Sequence, residues 1–268
     1  MAGGPIDAAL QRQLEQWKLR IDGDAIGRRG SIVQPVHTAD GVRAILKIVG
    51  PDEETEHEHL VLRRWAGEGA VRLLSADPPH RALLLERLNS ATLHTMPDID
   101  ACDIVGGLYR RLHVPAMPQL RSVATELEGL TRELESLPRS APIPHRLVEQ
   151  AIGLGRDLST EPATVVLHGN LHYGTVLAAN REAWLAIAPT PRNGDPHYEL
   201  APMLWHRWSD VAGDVRETVR RRFFRLLEAS GLDEERARAW AVVRVVREAM
   251  RDPANLTTYV AVAKAIAQ

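Results

Sequence analysis

Val165-Val166-Leu167-His168-Gly169-Asn170-Leu171-His172-Tyr173-Gly174-Thr175-Val176-Leu177 sets a polar loop between two apolar runs. Thr164–Leu167, Val176–Ala178 and Trp184–Ile187 have the composition of short strands, and the last of these runs on into Ala188-Pro189. Around them, from residue 89 onward, the pattern is helical. Leu120, Val123, Leu127, Leu130, Leu134 and Leu137 recur at spacings of three and four, which predicts a helix with one apolar face. Further helices are expected near 101–113, 144–158, 198–208, 212–230, 233–250 and 255–266. The Pro-rich patch from Leu137 to Pro144 reads as a surface connection.

The first 88 residues read differently. A helix over 6–18 carries Leu10, Leu14 and Trp17 on one face. Ser31–His37 and Val42–Val49 are strand-like and flank the hairpin signal Asp40-Gly41. Pro51–Ala66 is expected as one helix with acidic residues in its first turn, stopped by Gly67 and Gly69. Val71–Leu74 and Ala82–Leu88 supply two more strands. The fold expected is α+β and two-lobed: residues 1–88 an antiparallel sheet with one long internal helix, residues 89–268 a helical lobe.

Composition limits the possibilities. The 268 residues are 44% hydrophobic and 25% charged, with a net charge of −2. That balance gives no bulk attraction to nucleic acid or to an anionic membrane. Cys102 is the single cysteine, which excludes an internal disulfide. No signal-peptide pattern opens the chain and no apolar run approaches the roughly 20 residues of a bilayer span, so a soluble cytoplasmic protein is expected.

Ala44-Ile45-Leu46-Lys47 places a lysine on a strand, and Glu58 a carboxylate in the helix that follows, with Glu54 as the alternative. This resembles the lysine–glutamate pair of protein-kinase-like folds, in which the lysine holds nucleotide phosphates. Gly23, Gly27, Gly30 and Ser31 form an incomplete glycine-rich segment, and Leu83–Leu88, with Glu86, sits where a lobe-joining hinge would pair with adenine. Together with Trp17, Asp22-Gly23, Asp40-Gly41, Gly69–Leu74, the His168 loop and Gly194-Asp195-Pro196, these residues make the chain similar to the aminoglycoside and hydroxyurea phosphotransferase family, the streptomycin 6-kinase branch in particular. The resemblance implies a two-lobed kinase-like fold, ATP and magnesium, and phosphorylation of a hydroxyl on a small antibiotic.

The family loop reads His-Gly-Asp-Leu-His-x-Gly-Asn-Val-Leu, followed by Ile-Asp-Pro-Lys. Here His168, Gly169, Leu171, His172 and Gly174 agree, while Asn170, Thr175, Ala188 and Thr190 depart. Asn170 stands at the catalytic aspartate's position and is no useful base. Thr175 and Ala188 stand at the metal positions, and magnesium prefers carboxylates and phosphates. Loss of base and metal clamp together is expected to slow phosphoryl transfer by at least about 10⁴-fold. ATP remains open as a ligand, held by Lys47, Glu58, Glu86 and Ser31, and magnesium is not expected.

Other polar groups have plainer readings. His168, His172 and His197 do not complete a metal site, and Asp195 is expected to cap the segment from His197, although it could rescue metal binding. Arg216, Arg220, Arg221, Arg222 and Arg225 read as a solvated basic face. Asp195, Glu199, Asp210 and Asp214 could line a cationic pocket or serve as caps and surface charge. Three functions remain: a pseudokinase that binds a small molecule or a protein partner in the cleft between lobes, an active but atypical small-molecule O-phosphotransferase, or a repurposed enzyme of secondary metabolism.

Overall fold

Alternation along Arg43–Val49 decides the first half of the structure. Ala44, Leu46 and Ile48 are buried on one sheet face, so Lys47 must project from the other. The computed structural model describes residues 5–28, 31–50, 53–211 and 213–267. In chain order its elements are α1 (Pro5–Gln16), β1 (Arg20–Ile21), β2 (Ile26–Arg28), β3 (Ser31–His37), β4 (Arg43–Val49), α2 (Glu58–Trp65), β5 (Leu73–Asp77), β6 (Ala82–Glu86) and α3 (Asp98–Leu112). There follow α4 (Val123–Glu135), α5 (His145–Ser159), β7 (Val165–Leu167), β8 (Val176–Ala178), β9 (Trp184–Ala186), β10 (Arg192–Gly194), α6 (Ala201–Trp205), α7 (Val215–Ser230), α8 (Glu234–Arg251) and α9 (Leu256–Ile266). Two compact units result: Met1–Ser90 with Leu177–Thr190, and Ala91–Val176 with Pro191–Gln268.

The first unit is an antiparallel sheet of order β1-β3-β4-β6-β5, with β2 also on β3. The β3–β4 register runs from Ser31 opposite Val49 to His37 opposite Arg43. Thr38 Oγ1 accepts from the Val42 N–H at 2.9 Å across the turn, and Gly41 takes φ 84°, where a side chain would be strained. Leu14 and Leu19 pack with Val36, Ala44, Leu46, Ile48, Ala82 and Leu84, and Leu10 and Trp17 border them, so the N-terminal helix face lies on the sheet as its spacing predicts.

The helix expected over Pro51–Ala66 is shorter and in two pieces. Glu53–Thr55 forms a 3-10 turn and α2 begins only at Glu58, while Pro51 and Asp52 lie outside the described residues. A continuous helix would stack Glu54 on Glu58, a like-charge pair one turn apart; the break leaves Glu58 alone on the buried side.

In the second unit α3 packs on α7, α4 on α5, and α8 on α5 and α9. Val123, Leu127, Leu158, Leu167, Tyr198, Trp240 and Val243 make one core cluster. The leucine stripe is real within α4, but Leu120 and Leu137 fall outside it, because Ser122 caps the helix by accepting from the Ala124 N–H at 3.2 Å. The helix expected over 198–208 is a 3-10 turn, Pro196–Leu200, joined to the five-residue α6, and left-handed Arg207 ends it at φ 58°. Strand β10 was not anticipated: Arg-Asn-Gly carries no strand propensity, and pairing with β7 makes it a strand. Among the described residues no helix is long and apolar enough to cross a membrane.

Candidate active site

In the first unit, Lys47 and Glu58 meet as the strand-to-helix spacing predicts. Lys47 Nζ donates to both Glu58 oxygens, at 2.8 and 2.6 Å, with side-chain exposures of 10% and 1%. A buried ammonium needs such a partner, and two acceptors hold its direction. Glu86 has a different occupation. Its carboxylate accepts from the Arg72 N–H at 2.8 Å and from Arg181 Nη2 at 2.6 Å, and its own N–H donates to the Arg72 carbonyl at 3.0 Å. Arg181 also donates to the Gly67 and Ala70 carbonyls, so it ties the β8–β9 turn to the end of α2; nothing local in the sequence marks it. Ser31 opens β3 opposite Val49, Gly27 lies in β2, and the Gly23 carbonyl accepts from Gln34 Nε2 at 2.8 Å. Gly30 lies outside the described residues.

Ala188 adopts φ 52°. The left-handed region costs an ordinary L-residue roughly 1–2 kcal/mol and is visited far more readily by Asp and Asn. The backbone at 188 thus has a shape suited to aspartate while the side chain supplies no oxygen.

In the second unit the polar loop is held from beneath. Gly169 turns at φ 83°, and the buried Glu199 carboxylate accepts from the His168 and Gly169 N–H groups. Arg244 donates to the Gly169 carbonyl at 3.2 Å and to the Tyr198 carbonyl at 3.0 Å. His168 is buried and its Nδ1 lies 3.4 Å from the Asn170 N–H, so it shapes the loop. Thr175 closes the loop from the other end. Its Oγ1 accepts from the His172 N–H at 2.9 Å and lies 3.1 Å from the Asn170 and His172 carbonyls, to one of which it donates. His172 Nδ1 accepts from the Gly174 N–H at 3.1 Å while its ring stacks on His206 at 3.6 Å. The Asn170 carboxamide makes no side-chain hydrogen bond among the described residues and is half-buried.

These residues do not fit magnesium. The proton and one lone pair of Thr175 are spent inside the loop, Ala188 has no donor atom, and the Asn170 amide is a neutral ligand at best. Asp195 is equally committed. It caps the turn from Pro196 by accepting from the His197 N–H at 2.9 Å, and it also accepts from Trp240 Nε1 at 2.7 Å and from Arg236. Burial alone would raise its pKa, but the hydrogen bonds from His197 and Trp240 hold it well below the usual carboxylate range. Asp214 caps α7 through the Glu217 N–H at 3.0 Å, and exposed Asp210 pairs with Arg207, so the four acidic residues do not form one pocket.

The basic-face reading fails at one residue. Arg216 and Arg221 are exposed, but Arg222 is fully buried, donating to Asp98 at 2.7 Å and to the His206 carbonyl at 3.0 Å. The spacing held the signal: Arg222 falls with Val219, Phe223 and Leu226 on the inward helix face. Asp98 also accepts from Tyr173 Oη at 2.8 Å, which ties the loop to α3 and α7.

Glu199 makes the loop pH-sensitive. Burial, only partly offset by the Gly169 and His168 N–H donors and by Arg244, pushes its pKa up to about 7 from the model-compound 4.5. A raised carboxyl pKa means the folded state binds the extra proton. Its stabilising contribution is therefore complete below pH 4.5 and is lost as pH rises through 7. Denaturation of wild type and Glu199→Gln across this window is expected to show wild type losing on the order of 3 kcal/mol relative to the variant. Parallel pH curves would contradict it.

The sequence model of the aminoglycoside/hydroxyurea antibiotic resistance kinase family matches residues 16–254. The chain is 42% identical to the streptomycin 6-kinase of Streptomyces glaucescens over 257 residues, covering 92% of this chain and 83% of that one. It is 41% identical to the hydroxyurea phosphotransferase of Kitasatospora aureofaciens over 244 residues, 88% and 70% of the two chains. In fold it is similar to a choline kinase from Streptococcus pneumoniae, with TM-score 0.66 at 12% identity, 98% and 99% of the chains being covered. An aminoglycoside-3'-phosphotransferase of type VIII has TM-score 0.58 at 19% identity, over 89% and 98%.

Proposed function

Since the chain belongs to the aminoglycoside/hydroxyurea antibiotic resistance kinase family, we propose that it is a member with impaired phosphoryl transfer, retained to bind a small molecule or a protein partner. The observation that carries this reading is the Thr175 staple. At the position where the family places a metal ligand, the side chain is turned into the loop and holds it shut. Asn170 can hydrogen-bond a ligand hydroxyl in either sense, as donor or acceptor, but cannot take its proton at neutral pH. Lys47, held by Glu58, remains suited to an anionic phosphate. Replacing two carboxylates by Asn170 and Ala188 lowers the repulsion that metal-free nucleotide would meet.

The test is incubation with labelled ATP, magnesium and a panel of hydroxyl-bearing antibiotics including streptomycin, beside an active streptomycin 6-kinase. Transfer is expected to be slower by at least about 10⁴-fold. A companion calorimetric titration should show ATP binding of similar affinity with and without magnesium; binding that requires the metal sinks the proposal.

A second reading, an active atypical O-phosphotransferase, is favoured by the 42% identity to a streptomycin 6-kinase and by the intact Lys47–Glu58 pair. Labelled product above background would establish it instead.

A further inference from the structure

Within the first unit, α2 and β5 border an open hollow of about 360 Å³. Leu62, Arg63 and Ala66 form one wall, and Arg72, Leu74 and Ala76 the other. Leu74 is 44% exposed. A register shift between Leu73 and Ser75 takes it out of the β5–β6 ladder, and a bulge of this kind re-aims a side chain. Strand β5 is the outer strand of its sheet, with β6 as its one ladder partner among the described residues.

The charge on the walls has one sign. Arg63 and Arg72 are exposed, no carboxylate lines the hollow, and neither guanidinium has a hydrogen bond or ion pair among the described residues. The acidic side chains of α2 and β5 are engaged, Glu58 by Lys47 and Asp77 by His80, and Glu86 of β6 is paired with Arg181. Two unpaired cations on apolar walls match an apolar anchor flanked by carboxylates. A free strand edge beside them matches extended backbone.

We propose that this hollow docks an extended acidic segment of a partner protein, with an apolar side chain against Ala66 and Leu74 and carboxylates on Arg63 and Arg72. The site lies on α2, the helix that presents Glu58 to Lys47, and it stands whether or not the chain transfers phosphate. A small inorganic anion would leave the apolar walls unused.

Selection of a phage-displayed random heptapeptide library on the full chain tests this. Recovered peptides should carry Leu or Phe between Asp or Glu residues. A fluorescein-labelled recovered peptide should bind Arg63→Glu/Arg72→Glu at least tenfold more weakly than wild type, and Leu74→Asp likewise. Hydrogen exchange should slow over 58–66 and 72–77 in its presence. Recovery of no binder, of neutral or basic sequences, of peptides whose affinity survives the double variant, or protection elsewhere would each overturn the proposal. Because Arg63, Arg72 and Leu74 are exposed, these variants are expected to fold.

Discussion

Arg222→Met is expected to lower unfolding stability by about 2–4 kcal/mol, the cost of removing a buried cation and leaving the half-buried Asp98 without its hydrogen-bonded partner. Asp98 would keep its negative charge beside Tyr173, and among the described residues Arg207, 3.9 Å away, would be its remaining ion-pair partner. The His206 carbonyl would lose its donor as well. Arg222→Lys restores the ion pair but not the second hydrogen bond and should recover part of the loss. Arg221→Ala, one residue earlier and exposed, should change stability by no more than about 0.5 kcal/mol. Urea unfolding of the three variants separates the buried-charge account from a solvated basic face, since equal midpoints for Arg222→Met and Arg221→Ala would leave the ion pair without energetic weight. Because Tyr173 shares Asp98, hydrogen exchange in the loop should quicken in Arg222→Met as well.

The second large effect concerns chemistry. Asn170→Asp, Thr175→Asn and Ala188→Asp introduced together are expected to raise magnesium-dependent ATP hydrolysis by at least about 10²-fold over the unmodified chain, a gain on the scale of one preorganised charged group. The backbone favours the change at 188, where aspartate accepts the left-handed conformation more readily than alanine. At 175 it resists. Thr175→Asn sacrifices the hydroxyl that accepts from His172 and donates to a loop carbonyl, which should cost about 1–2 kcal/mol of local stability. The triple variant is therefore expected to hydrolyse faster and melt sooner. Unchanged hydrolysis, with folding verified by circular dichroism, would show that these three side chains do not set the rate.

Much of the fold was legible because it is written in local spacing. Strand-like runs gave β3 and β4, spacings of three and four gave α1 and α4, helical composition gave α7–α9, and Asp40-Gly41 gave the hairpin turn. The Lys47–Glu58 pair was legible too, since a strand lysine followed by a helix carboxylate is a short-range pattern. Legibility failed where position depends on distant contacts. Strand β10 exists because β7 pairs with it, and α2 starts late because Glu58 turns inward.

By itself the sequence determined most of the longer helices and the central strands, the family, and which side chains stand at 170, 175 and 188, because identity and periodicity need no partner to be read. Only the tertiary structure decided that Arg222 is buried, that Glu199 grips the loop, that Asp195 is fully engaged and that Thr175 faces inward. The reason is that a charged or polar side chain is settled by what surrounds it. Arg222 finds Asp98 across 124 residues of chain, a separation no local pattern encodes.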